Sequence, residues 1–567
     1  MTDAHAADLV AALGSLRASV AGCRLELDLG GAPEARRARD QLVGQLDDYL
    51  LPRLRDLEAP MLAVVGGSTG AGKSTIVNSL VGDEVSPAGV LRPTTRAPVL
   101  VFPPGEESWW RSERVLPGLA RTSGGAPTGD AAVLHLVPHD SVPSGIGVLD
   151  APDIDSVVAA NRELATQLLA AADLWVFVTT AARYSDAVPW GFLRIARARA
   201  TALALVLNRV PSEALDEVPR HLAELLRAAG LGDATLFTVR ETELARGRVP
   251  DDELDPLREW LWGLASNAAE RARVVRKTLE GALDSLDERV SLVASHVDAQ
   301  RDGALALEAA ARRAYDAARD RIEEDLSGGS LLRGEVLARW HEVIGTGELM
   351  RSLESTIGMV RDRVRAFLLG EAEPGTEVRA TLGSSVAQVA SAAADRAAEQ
   401  AARAWADTPG GAALLQRAGG GLERSSPGLE ARLDEDVRAW QGRVLELVRE
   451  EGASKRAVGR ALSLGVNAIG AAVMVTVFAH TGGLTGAEIA VAGGTATVSQ
   501  KLLEALFGDQ AVRDLTARAR ADLLDRLAAL LAAELDRFTS LAAAAAPSAG
   551  EAEGLRGVAE AVRAARG

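Results

Sequence analysis

Two hydrophobic rhythms divide the chain. Leu9, Leu13, Leu16, Val20, Cys23 and Leu27 recur at alternating steps of four and three. That a/d seam predicts a first helix packed along a partner helix, as in a coiled coil. Gly30-Gly31-Ala32-Pro33 breaks it, and a second helical stretch carrying Leu42, Leu46, Tyr49 and Leu50 runs to about residue 57. Short apolar runs follow at 61–65, 98–102, 132–136, 146–149, 174–178, 202–207 and 235–239. They alternate with helical stretches such as 73–81, 161–170 and 219–229. Continuous apolar strands separated by helices predict a mainly parallel sheet covered on both faces. From about Pro256 the strand rhythm stops. Ala/Leu/Arg/Glu-rich helix continues, broken at Ser327-Gly328-Gly329-Ser330, Glu373-Pro374-Gly375 and Thr408-Pro409-Gly410-Gly411. Helices this long cannot bury themselves singly, so a bundle or stalk is expected. The expected layout is an α/β domain over 58–255, a helical bundle over 256–567, and N-terminal helices over 1–57 joining its neck. Residues from Ala542 onward are rich in Ala, Gly and Glu and are expected to fray.

Composition narrows the function classes. A length of 567 residues implies two or more domains, and 47% hydrophobic with 25% charged residues is the balance of a folded, water-soluble protein. Only 4% of residues are aromatic, which favours helix over sheet-rich architecture. Cys23 is the single cysteine, so no internal disulfide can form and a reducing compartment is expected. The net charge of −16, from 78 acidic and 62 basic residues, argues against a nucleic-acid partner, because phosphate contacts need clustered Lys and Arg. The start, Met1-Thr2-Asp3-Ala4-His5, has neither the basic nor the apolar region of a signal peptide, so a cytoplasmic protein is expected.

Gly67-Ser68-Thr69-Gly70-Ala71-Gly72-Lys73-Ser74 matches G-x-x-x-x-G-K-[ST] in full. An apolar run precedes it and a helical stretch beginning at Thr75 follows, the strand–loop–helix setting that the chemistry needs. Gly70, Ala71 and Gly72 are small enough for backbone N–H groups to turn inward around phosphates, helped by the helix N-terminus. Lys73 is expected to reach the β- and γ-phosphates and the Ser74 hydroxyl to ligate Mg2+.

Further elements decide which phosphate-binding family is meant. Arg92-Pro93-Thr94-Thr95-Arg96-Ala97-Pro98 precedes an apolar run, and Ile146-Gly147-Val148-Leu149-Asp150-Ala151-Pro152-Asp153 carries a strand into an aspartate. Asp150 stands where P-loop enzymes hold Mg2+ through water. A third run ends in Asn208-Arg209-Val210-Pro211. In order and spacing these resemble the bacterial dynamin-like GTPases, as do Thr180-Ala181-Ala182-Arg183-Tyr184-Ser185-Asp186 and Leu506-Phe507-Gly508-Asp509-Gln510-Ala511-Val512-Arg513, which look like an actinobacterial branch. The resemblance implies that Thr95, with Thr94 as the competing choice, completes the metal shell and senses the γ-phosphate. It implies that Asn208 and the Arg209 stem hold the purine. Thr69 occupies the position of the catalytic glutamine in the dynamin loop. The chain departs from the family in two places. Dynamins read D-x-P-G where Asp153 stands, and N-K-x-D where Pro211 stands. Pro211 lacks the carboxylate that reads guanine, so the expected nucleotide is GTP with ATP open. A mechanochemical GTPase is implied, working as a homodimer or higher oligomer, or with a paired dynamin-like protein, peripherally at the inner face of the cell membrane; a soluble regulatory P-loop switch acting through a protein partner and a nucleotide-binding scaffold with little hydrolysis are the alternatives.

A second apolar feature bears on the membrane. Residues 461–479 contain no charge and as a helix would span roughly 28 Å, near the thickness of a bilayer core. A polar turn over 480–486 leads to a second apolar run over 487–498 that contains Glu488. Lys455, Arg456 and Arg460 flank the start of this 461–500 hairpin and Lys501 its end. The leading reading is a hairpin dipping into the inner phospholipid leaflet, with Val473, Val475 and Val477 in its most apolar part. A buried Ala/Gly-rich hairpin and two full spans are the alternatives. Two further signals are set aside. Leu326-Ser327-Gly328-Gly329-Ser330 resembles an ABC-transporter signature but is not followed by a strand ending in Asp-Glu. His135 and His139 are separated by Pro138, and His341-Glu342 lacks a second histidine, so no zinc site is expected.

Overall fold

The computed structural model of the chain describes residues 3–87, 97–124, 133–155, 159–198, 201–327, 374–453, 469–478, 500, 503–504 and 507–566. They form two compact units. One comprises Met1–Leu25, Gly31–Asp298 and Pro547–Gly567, the other Glu26–Gly30 and Ala299–Ala546.

The first unit is built on eight strands: β1 (Met61–Gly67), β2 (Val99–Phe102), β3 (Ala120–Ser123), β4 (Val133–Pro138), β5 (Ile146–Asp150), β6 (Leu174–Thr180), β7 (Ala202–Val210) and β8 (Thr235–Arg240). Their order is β3-β4-β2-β5-β1-β6-β7-β8. Every neighbouring pair is parallel except β2 and β5, where Val99 faces Asp150 antiparallel. The mainly parallel sheet read from the apolar runs is therefore present, with one antiparallel seam.

The continuous apolar runs reflect burial on both faces. In β1, Leu62 and Val64 point into one core with Leu164 and Leu168 of α6 (Ala159–Ala171) and Leu222 and Leu226 of α8 (Val218–Ala228). Met61, Ala63 and Val65 point into the other, with Ile76 and Leu80 of α4 (Lys73–Val81) and Leu257 and Leu261 of α9 (Asp251–Ser266). Alternate residues thus serve opposite helical layers. β3 is the strand that the apolar pattern does not announce. Its sequence, Ala-Arg-Thr-Ser, lies half exposed at the sheet edge and has no second face to bury.

Helices flank this sheet. In α1 (Asp3–Gly22), Leu9, Leu13, Leu16 and Val20 are buried, with Cys23 just beyond the helix end. They share a core with Leu286, Val290 and Val293 and with Leu555, Ala559 and Val562 of the C-terminal helix Glu551–Arg566. Two sequence expectations are corrected here. Leu27 is not on the seam, because α1 stops at Gly22; its amide instead donates to Gln300 Oε1 at 2.7 Å and its carbonyl accepts from Gln300 Nε2 at 2.8 Å. The C-terminal residues are helical, with Ala552, Leu555, Ala559 and Val562 buried. Their apolar positions fall three to four apart, so one stripe faces the core despite the Ala/Gly/Glu composition.

The second unit is built of helices among its described residues, including Pro374–Asp407, Leu429–Ala453 and Asp509–Ala545, joined by short turns. Its core is a run of small alanines closed by large rings. Trp405 donates from Nε1 to Leu307 O at 2.8 Å and meets the Phe538 ring edge-on at 5.2 Å. Trp440 donates to Ala519 O at 2.7 Å and packs against Phe478. Each buried indole therefore satisfies its polar end.

Candidate nucleotide-binding site

The site starts where β1 runs out. Gly67 has φ +153, and a Cβ there would lie 2.1 Å from Val178 O on β6. Gly72 ends the loop at φ +94, where a Cβ would lie 2.6 Å from Asn208 Nδ2. Side chains are excluded at both ends on conformation and on space. Between them Ser68 is buried, Gly70 turns at φ 76, and the Ala71 amide donates to Ser68 O at 3.1 Å. α4 then begins at Lys73, and its N-cap residue, Gly72, has no side chain with which to cap it.

Lys73 and Ser74 open this first turn and reach different partners. The Lys73 ammonium is 4% exposed and donates to Gly67 O at 3.1 Å, to Ser68 O at 3.2 Å and to Asp153 Oδ1. The Ser74 hydroxyl donates to Asp150 Oδ2 at 2.6 Å, and Ser86 donates to the same oxygen at 2.5 Å. Ser86 is held there by Asn78, whose Oδ1 accepts the amides of Val85 and Ser86 and whose Nδ2 donates to Ser86 O. Asp150 is fully buried at the end of β5, and its second oxygen has no hydrogen-bond partner among the described residues. Burial pushes its carboxyl above the ordinary range, against the pull of Ser74, Ser86 and Lys73. A buried carboxylate oxygen without a donor, next to a hydroxyl ligand, is the donor set that a hydrated Mg2+ ion fits.

A second polar cluster lies over the loop, and sequence reasoning missed it. Asp155 Oδ1 accepts the Thr69 amide at 2.6 Å and the Thr69 hydroxyl at 2.7 Å. Arg183 donates from Nη1 to Thr69 O at 3.0 Å, from Nη2 to Asp155 Oδ2 at 2.9 Å and from Nε to Asp186 at 2.8 Å. Burial raises the Asp155 carboxyl, but the bonds from Thr69 and Arg183 outweigh it and hold it below the usual carboxylate range. The available signal was the spacing of Asp150, Asp153 and Asp155 directly after an apolar strand. Each of the three binds a different part of the phosphate loop or its helix.

On the far side, Asn208 closes β7 against the loop. Its Nδ2 donates to Ala71 O at 2.8 Å and its Oδ1 accepts the Arg209 amide at 2.9 Å. Both ends of the amide thus join backbone segments, and Arg209 adopts a left-handed φ of 52 with its side chain exposed. Pro211 follows, with no side-chain acceptor to offer a base. Thr95 and Thr94 lie outside the described residues, as do 461–468 and 479–499 of the apolar hairpin. Val473, Val475 and Val477 are described: they are 1%, 1% and 2% exposed, inside the core of the helical unit.

No protein-family model matches this chain, and neither does any curated protein. Solved structures similar to it include Era of Aquifex aeolicus bound to GDP.AlF4−, 18% identical over 36% of this chain, with a TM-score of 0.24. The chain spans 56% of the length of that protein. A structure of an oligomerised bacterial dynamin pair is 13% identical over 69% of this chain and 75% of that one, at a TM-score of 0.29. LeoA, a bacterial dynamin GTPase from ETEC, is 13% identical over 95% of this chain and 98% of its own, at a TM-score of 0.25. The chain combines a mainly parallel α/β P-loop fold with a large helical unit.

Proposed function

We propose that this protein is a dynamin-like GTPase that binds and hydrolyses GTP with Mg2+ and couples the cycle to movement of its helical unit at the cytoplasmic face of a membrane. The observation that carries the reading is the convergence of Lys73, Ser74 and Asp150 on one phosphate loop. Lys73 neutralises the β- and γ-phosphates, and the amides between Gly70 and Ser74 supply further donors. Mg2+ held by the Ser74 hydroxyl and, through water, by Asp150 would offset the remaining phosphate charge. Thr69 commits its hydroxyl proton to Asp155, so its lone pairs are left to accept from a water. Thr95 is proposed as the second metal ligand by resemblance. GTP is the proposed substrate on the same ground, and Pro211 leaves ATP as its competitor. A homodimer, a higher oligomer or a pair with a second dynamin-like protein is the assembly proposed.

The membrane part is supported by the uncharged stretch over 461–479 and its basic flanks. A second reading, a soluble P-loop switch acting through a protein partner, is favoured by the burial of Val473, Val475 and Val477. The two differ in lipid response. GTP and ATP turnover should be measured with and without anionic liposomes, for the parent and for Lys73→Ala. Loss of nucleotide binding in Lys73→Ala, with turnover of the parent raised by liposomes, is the expected result. Turnover indifferent to lipid, in a protein that never sediments with liposomes, favours the soluble switch. Unchanged binding in Lys73→Ala would remove the assignment of the loop.

A further inference from the structure

The Lys73 ammonium has three N–H groups and three acceptors. Two acceptors, Gly67 O and Ser68 O, belong to the loop itself and hold the lysine stem in place. The third is Asp153, on the segment that leaves β5. It is the one acceptor that can be exchanged without rebuilding the loop. Both partners are largely withdrawn from water, at 4% exposed for Lys73 and 14% for the Asp153 side chain. A pair so placed leaves the loop close to neutral at the point where phosphates need a cation.

The neighbouring carboxylates do not act this way. Asp150 is bound by Ser74 and Ser86, and Asp155 by Thr69 and Arg183, so neither occupies the loop lysine. Asp153 alone among these three sits on the group that a polyphosphate must use.

We propose that Asp153 is a built-in competitor for the phosphates of a nucleotide: its carboxylate occupies the Lys73 ammonium, lowers affinity, and must move away when nucleotide binds. The proposal rests on the reading of this loop as a nucleotide site. Displacement has a path to travel. Asp153 lies two residues before Asp155, which carries the Thr69 and Arg183 bonds, so its movement pulls on the cover of the loop. Nucleotide occupancy is thereby reported to the segment after β5 through a carboxylate that the dynamin pattern replaces by glycine.

The test is the dissociation constant for a non-hydrolysable GTP analogue and for GDP, each with Mg2+, by calorimetry. The proteins are the parent, Asp153→Asn, Asp153→Ala, Lys73→Ala and the double variant Asp153→Asn/Lys73→Ala. Asp153→Asn keeps the shape and removes the charge. It should bind about 10- to 100-fold more tightly, the scale of one unit charge roughly 6–12 Å from a phosphate charge at an effective dielectric near 20. The gain should vanish in the double variant, since the competition acts through Lys73. Without ligand, both Asp153 variants should melt lower than the parent, because a buried ammonium has lost its partner. Their rise in melting temperature on adding the analogue should be larger. Unchanged or weaker binding in folded Asp153→Asn and Asp153→Ala, beside a parent that binds, overturns the competitor alone and leaves the nucleotide site standing. A parent that does not bind beside an Asp153 variant that does is the strongest support. Folded proteins of which none binds would remove both the competitor and the nucleotide site.

Discussion

Thr69 places its amide hydrogen and its hydroxyl hydrogen on a single oxygen of Asp155, at 2.6 and 2.7 Å. A hydroxyl has one proton, so this geometry fixes the direction of its remaining lone pairs. Thr69 becomes an oriented acceptor at the start of the phosphate loop, and Arg183 fastens the same residue through its carbonyl.

The first prediction follows from that contact. Asp155→Ala frees the Thr69 rotamer while leaving Lys73 and Ser74 in place. Turnover at saturating GTP should fall by up to about 10²-fold, the penalty of misplacing a catalytic group by an ångström. The dissociation constant should change little. Steady-state kinetics beside equilibrium binding distinguishes this from collapse of the whole loop, which would weaken binding equally. The contact is not a neutral-pH switch. Asp155 is held below its usual range, so its stabilising contribution is present above the ordinary carboxylate pKa and is lost only as pH falls through the lower folded value.

Base choice is the second. Asn208 bonds backbone at both ends and Pro211 offers no carboxylate. Guanine preference should therefore be weaker than the ~10⁴-fold or more reached by sites that read a polar edge. Competition of labelled GTP by ATP measures it, and a ratio above that level would show that some other residue supplies the contact.

A third prediction concerns pH and stability of the sheet-bearing unit. Asp48 lies in a π-helical turn, Leu46–Leu50, with its Oδ2 accepting from Gln167 Nε2 at 3.0 Å. Burial raises its carboxyl to about 6, against the pull of Gln167 and with the help of Asp47. A raised acid binds its proton more tightly folded than unfolded. Its contribution is full below the unfolded value near 3.9 and fades as pH rises through about 6. A difference of that size corresponds to about 3 kcal/mol. Asp48→Asn should flatten this slope, so that calorimetric melting at pH 8 rises relative to the parent while melting at pH 4 changes little.

The fourth tests the helical unit. Val475 is 1% exposed in the core that contains Trp440 and Phe478. Val475→Asp buries a charge without a partner and should cost more than about 3 kcal/mol, with a clear fall in melting temperature. Nucleotide binding should survive, since the phosphate loop belongs to the other unit. An unchanged melting temperature together with lost liposome sedimentation would show that this valine meets lipid and not the core.

The sequence by itself determined the elements whose pattern is local. The strands β1, β2, β5 and β6 are mainly apolar because both faces are covered, and the phosphate loop is legible because its glycines and Lys73 must be adjacent in the chain. The seam of α1 was legible as a stripe, but its partners in the C-terminal helix and at Leu286, Val290 and Val293 were not, since a stripe specifies burial without naming what covers it. Tertiary structure alone decided the wiring of the site. Asp153 to Lys73, Asp155 to Thr69 and Ser86 to Asp150 join residues far apart in sequence, through strands that the fold lays side by side. The same holds for Val475: an uncharged stretch of this length satisfies a bilayer or a protein core equally well on hydropathy, and burial in the core that also holds Trp440 and Phe478 is a property of the assembled helices. Periodicity encodes which face avoids water. What lies opposite that face depends on chain crossings that no local window contains.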